Sequence, residues 1–340
     1  MKIPCAQRLP FIVSGLSFLQ PELTNAQFYN LTLIATALVL GSKFCLSEIS
    51  RMWLEEKCVS TLSFFMSHAK FCTEEMQHLY LLQVMHRYPI KSGYFIIDDT
   101  MKHHTKYCQW IHGLFVLFDH AAKTNLKAVC IVVLYYSDGA LIKFPIKHAI
   151  YYKDTDTMLW QEGEKRTCIP KYDLALNMME WALDKGFPAC MVLADSWFGT
   201  GPFVKGLRRL QLSYILEVRR SYKVRVPCKV LKLTKKENKS ENQFDTIQLP
   251  DYFSTLTKVV QCGFAADPFA EKREKVLYHT KTATARLNSI PGKHRIVQSI
   301  DPRTQTSKYL ITDQLTWEAS KILSTYSHRW VINKLLMLPK

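Results

Sequence analysis

Two acidic groups in this chain stand where an apolar run ends. Asp98-Asp99-Thr100 follows Tyr94 to Ile97, and Asp195 follows Ala189 to Ala194. Each run has the composition and length of a buried strand, so each carboxylate is delivered to the rim of a core. Two such carboxylates on neighbouring strands offer hard oxygen ligands, the donor type that holds divalent metal ions for phosphodiester chemistry. Taken singly, each group has an ordinary reading as well, because Asp-Asp-Thr and Asp-Ser after a strand also serve as turn and helix-capping residues. Glu217, at the end of Tyr214 to Val218, is a further acid in the same kind of position.

The elements that must position these residues can be read from the pattern around them. From Tyr94 onward short apolar, β-branched and aromatic runs predict strands at 94–98, 112–118, 128–136 and 140–146, with Ser137-Asp138-Gly139 as a hairpin turn. Leu174, Met178, Trp181 and Ala182 make one apolar face of a helix over 172–185 that Gly186 closes. A strand at 189–194, a helix at 202–211 and a strand at 213–218 follow. This order, a run of strands followed by helix, strand, helix and strand, is that of an α/β ribonuclease H-like core with a mixed sheet. Within an N-terminal region of residues 1–90, residues 22–87 carry helical spacing instead, with Leu31, Ile34, Leu38, Leu54, Leu62, Phe65 and Met66 recurring at threes and fours. They form a helical N-terminal region, either a DNA-end-binding domain or a support layer. Residues 91–218 hold the first part of the core. Residues 219–307 are basic, contain Pro227, Pro250, Pro268 and Pro291, and have strand-like pieces at 256–260 and 275–278. That stretch is too long for a structureless loop and reads as a β-rich insertion. Residues 308–340 then supply the last strand, Lys308 to Asp313, and a final helix from Trp317 through Leu338.

Bulk charge points to a polyanion. Lys and Arg outnumber Asp and Glu by 45 to 29, a net charge of +16. Arg219, Arg220, Lys223, Arg225, Lys229, Lys232, Lys235, Lys236 and Lys239 share one window whose only acid is Glu237. Such clustering suits a phosphate backbone, although excess lysine can also serve solubility alone. The ten cysteines include no C-x-x-C pair, which argues against a zinc site and for reduced thiols used largely as core filler. Pro4, Gln7, Arg8 and Pro10 interrupt the first apolar stretch, so no cleavable signal is expected. Leu31 to Leu40 is far shorter than the roughly 20 residues of a membrane span, so no membrane partner is expected.

With these elements in order, the chain resembles the insertion-sequence DDE transposases, in the bacterial group with a Y-(2)-R-(3)-E-(6)-K signature on the last core helix. The resemblance runs from about residue 30 to 340. It is carried by YFIIDDT at 94–100, VLADSWFG at 192–199, YILEV at 214–218, and Tyr326, Arg329 and Lys340 at the signature's spacing, with Trp330 beside Arg329. It implies that Asp99, directly before the Thr, and Asp195 are the first two catalytic acids and bind Mg²⁺ or Mn²⁺. It implies phosphate contacts for Tyr326, Arg329 and Lys340. It further implies double-stranded DNA as partner, both transposon ends and target, a homodimer on that DNA, a cytoplasmic, nucleoid-associated bacterial location, and a DNA-gripping role for the basic insertion with Arg219, Arg220, Lys223 and Arg225. Its activity would be metal-dependent DNA cleavage and strand transfer. The third catalytic position holds Asn333, where the group has Glu. An amide can coordinate Mg²⁺ but brings no charge and accepts no proton. Glu318 is 15 residues earlier, roughly 22 Å along a helix, too far to substitute. Two readings therefore stand: a transposase, impaired at its third acid, or a catalytically inactive DNA-binding remnant or repressor.

Overall fold

The computed structural model describes residues 7–41, 45–54, 58–108, 111, 113–119, 123–152, 168–227, 244–265 and 275–330. The chain divides into two units, Met1–Pro89 and Ile90–Lys340.

The first unit is helical. Its helices are α1 (Pro10–Gly15), α2 (Asn25–Val39), α3 (Leu46–Arg51), α4 (Val59–His68) and α5 (Thr73–Arg87), with a 3₁₀ turn at Ser17–Glu22. Thr24 starts α2 through a reciprocal cap: its hydroxyl accepts from the Gln27 N–H at 3.2 Å, and the Gln27 side chain accepts from the Thr24 N–H at 2.8 Å. Leu33, Ile34 and Ala37 of α2 pack with Ile49, Trp53, Leu62 and Phe65. No described helix is long and apolar enough to cross a membrane.

The second unit is built on a mixed sheet. Its strands are β1 (Tyr94–His103), β2 (Leu114–Asp119), β3 (Thr124–Ser137), β4 (Lys143–Tyr151), β5 (Met191–Ala194), β6 (Tyr214–Val218), β7 (Lys223–Pro227), β8 (Phe244–Gln248), β9 (Val260–Ala265), β10 (Lys275–Leu287), β11 (Lys293–Ile300) and β12 (Ser307–Thr312). Its helices are α6 (Lys171–Asp184), α7 (Gly201–Arg209), α8 (Leu249–Ser254) and α9 (Ala319–Ser327). β1 lies centrally, antiparallel to β3 and parallel to β5, which is parallel in turn to β6. β2 and β4 pair with successive halves of the far edge of β3. Beyond β6 the sheet continues through β12, β11, β10, β7 and β8. The strands within residues 219–307 thus extend the sheet edgewise from β12.

Each face of the sheet has its own cover. Ile96, Leu193, Ile215, Leu310 and Val297 point to one face, where Ala319, Ile322, Leu323 and Tyr326 of α9 close over them. The alternate residues point the other way. There Phe95 and Tyr136 meet Phe187 just after α6, at ring-centre separations of 5.6 and 5.3 Å. After α9 the N–H groups of His328 and Arg329 bond to the carbonyls of Thr325 and Tyr326, three residues back, so the chain tightens into a turn before Trp330, which is helical again; the rest of the helix expected to reach Leu338 lies outside the described residues. Of the cysteines, Cys130, Cys190 and Cys262 are core residues, whereas Cys45, Cys58 and Cys72 are exposed. The expected strand at 256–260 begins only at Val260.

Candidate active site on the α9 face of the sheet

Register decides which acidic residues meet. Ile96, Leu193 and Ile215 are lateral neighbours on the three parallel strands β1, β5 and β6. Two residues further along each strand come Asp98, Asp195 and Glu217. Because side chains alternate with period two, these three leave the sheet on the face that α9 covers. Contacts agree with the register. Arg329 donates from Nη1 to Asp98 Oδ2 at 3.0 Å, and the Tyr326 hydroxyl donates to Glu217 Oε2 at 3.1 Å. Lys308 of β12 adds an ion pair to the same Glu217 oxygen at 3.4 Å. Asp195 accepts the Trp197 N–H at 3.0 Å, which fixes the turn that follows β5. That turn is held against β6 at Gly199, where a Cβ would collide with the Glu217 carbonyl oxygen. Only glycine permits so close an approach.

Asp99 has different company. It lies on the opposite face, where Lys171, the first residue of α6, pairs with Oδ2 at 2.5 Å and the Cys130 thiol donates to the same oxygen at 3.3 Å. The Lys171 ammonium also lies 5.3 Å from the Tyr151 ring centre and 5.0 Å from that of Trp197.

Electrostatics mark the α9 face as strained. Burial pushes the Asp98 carboxyl up to about 6, a rise that Arg329 opposes and the Asp195 and Asp99 charges reinforce. Asp195 is also raised, first by burial and then, against Arg329 and the Trp197 N–H, by Asp99 and Glu217. Arg329 is only 6% exposed. Burial weakens its hold on the proton, but Tyr326, Asp98, Asp195 and Glu217 together raise its proton affinity above the usual value. Tyr326 is raised well above the usual phenol range, chiefly by burial. Outside this core, Trp197 and Trp330 are half exposed, with Arg219 5.5 Å from the first ring centre and Lys308 5.3 Å from the second.

The donor set is of the hard-oxygen type that Mg²⁺ and Mn²⁺ take. Among the described residues no three His, Cys, Asp or Glu side chains converge closely enough to enclose a metal ion. The cation that Asp98, Asp195 and Glu217 share is instead the Arg329 guanidinium, a stand-in of the right charge sign. Its Nε is buried with no hydrogen-bond partner among the described residues.

Residues 21–243 match the DDE superfamily endonuclease family, more than half of the 340-residue chain. The chain belongs to that family. No curated protein matches it. As a DDE endonuclease it is expected to have a ribonuclease H-like core, to act on DNA and to use divalent metal ions; the mixed sheet centred on β1 agrees with the first of these.

The residues singled out in sequence fall into three groups. Asp195, Tyr326 and Arg329 meet on the α9 face of this endonuclease, while Asp99 lies on the other face with Lys171. Arg219, Arg220, Lys223 and Arg225 are exposed at the end of β6 and along β7. Asn333 and Lys340, with most of the basic window from Lys229 to Lys239, lie outside the described residues. Lys171, Lys308 and Trp197 were not recognised in sequence. Nor was a lateral row of exposed cations, Lys293, Arg286 and Arg225, in register across β11, β10 and β7. Lys293 is two positions from Arg295 and four from Val297, so the row shares the α9 face.

Proposed function

We propose that this DDE endonuclease is the transposase of an insertion sequence, cutting and joining DNA at a metal centre on the α9 face. The observation that carries this reading is that Asp98 and Asp195 each stand two residues beyond the paired Ile96 and Leu193 of adjacent parallel strands and share the charge of one buried arginine. Asp98, rather than Asp99, is the first acid, because Asp99 is neutralised by Lys171 on the opposite face. A divalent metal, when bound, supplies an activated oxygen nucleophile and stabilises the leaving oxygen of the phosphodiester.

The protein's own residues do the rest. Asp98 and Asp195 would hold such a metal through hard oxygen atoms. Arg329 neutralises them in its absence, and its planar fork suits a DNA phosphate when it lets go. Tyr326 fixes Glu217 and closes the floor against water. Trp197 and Trp330, each beside two cations, offer ring faces for an unpaired base at the mouth. Lys293, Arg286 and Arg225 form a track for the phosphate backbone on the same face. Three like charges placed side by side on neighbouring strands destabilise a sheet, and a polyanion relieves that cost.

A DNA-binding remnant without activity is the second reading, favoured by Asn333. Supercoiled DNA bearing the element's own ends separates the two. Nicking by the natural chain in Mg²⁺ or Mn²⁺ supports the enzyme. Binding without nicking, with nicking gained by Asn333→Glu, supports the remnant.

A further inference from the structure

We propose that Glu217 is a positioning residue: with Lys308 it closes a ring of contacts that fixes the exposed Trp330 indole, and so sets a preference of this endonuclease for DNA carrying an unpaired base. The proposal rests on the reading of Trp330 as a stacking surface given above. Glu217 Oε2 accepts the Tyr326 hydroxyl at 3.1 Å and pairs with the Lys308 ammonium at 3.4 Å. From those two partners the contacts run on until they meet. Lys308 Nζ lies 5.3 Å from the Trp330 ring centre, the Arg329 guanidinium lies 5.0 Å from that same centre, and Arg329 lies 5.6 Å from the ring centre of Tyr326. Cation and ring thus alternate through Lys308, Trp330, Arg329 and Tyr326, and one carboxylate oxygen holds both ends.

The members come from three parts of the fold. Glu217 belongs to β6, Lys308 to β12, and the other three to α9 and the residues just after it. Leu310 lies opposite Glu217, so Lys308, two residues earlier on β12, shares its face. One side of the ring is firmly held: Tyr326 and Arg329 are 4% and 6% exposed, and Arg329 also donates to Asp98. The other side is open, with Trp330 39% exposed and Lys308 at the surface. An exposed lysine samples many rotamers, and its contact with an indole is too weak to choose among them. Glu217 makes that choice, because its charge draws the ammonium to the one place from which it also meets Trp330.

The test combines a spectroscopic signal with a binding preference. Labelling the full chain with 5-fluorotryptophan gives each of its seven indoles a ¹⁹F resonance, and Trp330→Phe identifies the one from Trp330. Preference is the ratio of Kd for a fully paired duplex to Kd for the same duplex with a one-base 2-aminopurine bulge. Loss of a backbone-binding charge weakens both duplexes alike and leaves that ratio unchanged. Trp330→Ala should lower the ratio about fivefold or more, the low end of what one base–ring stack contributes. Glu217→Gln and Lys308→Met should each shift the Trp330 resonance, leave that of Trp53 in the first unit unmoved, and lower the ratio at least about twofold. Gln keeps an oxygen for the Tyr326 hydroxyl, so its effect reports the lost charge. The double variant should lose no more than either single one, since both act through one contact. An unmoved Trp330 resonance with the natural ratio in Glu217→Gln, or losses that add in the double variant, overturns the proposal. A natural chain with no preference, or one that survives Trp330→Ala, overturns the stacking surface and the proposal with it, and leaves the metal-dependent reading to be judged by nicking. If Glu217→Gln does not fold, Lys308→Met, at an exposed position, decides: an unchanged resonance and ratio overturn the proposal.

Discussion

Replacing Asp98 by Asn is expected to stabilise this protein at pH 8. The folded state raises the carboxyl from 3.8 to about 6, so it disfavours the charged form. A carboxyl whose proton affinity rises on folding is most favourable to stability below pH 3.8, and that contribution is lost as pH climbs through about 6. At roughly 1.4 kcal/mol for each tenfold change in affinity, ionised Asp98 costs about 3 kcal/mol at pH 8 and about half of that at pH 5. Removing one member of a buried ion pair ordinarily costs about 3–5 kcal/mol, because the partner is left uncompensated. Here Arg329 keeps Asp195 and Glu217, and Asn retains an oxygen to accept its hydrogen bond. Urea unfolding of the metal-free protein at pH 8 and pH 5, followed by tryptophan fluorescence, measures the difference between variant and parent. Stabilisation of about 1–3 kcal/mol at pH 8 that shrinks at pH 5 fits this electrostatic origin. A loss of about 3 kcal/mol or more at both values would make Asp98 and Arg329 a simple structural salt bridge and refute the reasoning.

Three further outcomes follow from the same geometry. Gly199→Ala forces a Cβ onto the Glu217 carbonyl oxygen, so melting temperature and Mn²⁺ affinity should both fall, while Gly15→Ala, with nothing within 4 Å, should change neither. Neutralising Arg225, Arg286 and Lys293 together should flatten the dependence of log Kd for duplex DNA on log salt by roughly 2–3, at about 0.9 for each phosphate no longer neutralised, and an unchanged slope would return this row to ordinary solvated surface. His294, buried between Tyr214 and the Arg208 charge, is pushed down to about 4. Its stability contribution is therefore present above pH 6.5 and lost as pH falls toward 4, by about 3 kcal/mol in all, a loss that His294→Gln should reduce in acid unfolding curves.

Much of this architecture is legible in the sequence, for identifiable reasons. The order of elements from Tyr94 to Val218 follows from turn signals and from the apolar face of α6, and both carry through to the fold. The choice between Asp98 and Asp99 does not. β1 is buried on both faces, with Phe95, Ile96 and Ile97 all at 0% exposure, so no alternation of polar and apolar residues says which Asp faces which layer. Pairing supplies that information, through Leu193 opposite Ile96 and Arg329 reaching Asp98 from more than 200 residues away. A faint signal existed: in FIIDD, VLAD and YILEV alike, an acid stands two residues beyond an inward apolar residue. The cation row was hidden for a similar reason. Arg225, Arg286 and Lys293 are scattered in sequence and become neighbours only through the register of β7, β10 and β11.

A metal centre on the α9 face is tested by nicking of supercoiled DNA carrying the element's ends, in Mn²⁺ and in EDTA, by the natural chain and by Asp98→Asn, Asp99→Asn and Asp195→Asn. Cutting is expected only with metal, with a fall of about a hundredfold or more in Asp98→Asn and Asp195→Asn, in keeping with loss of metal-centred charge stabilisation, and cutting retained by folded Asp99→Asn. Cutting in EDTA, or activity lost in Asp99→Asn but kept in Asp98→Asn, would contradict that assignment.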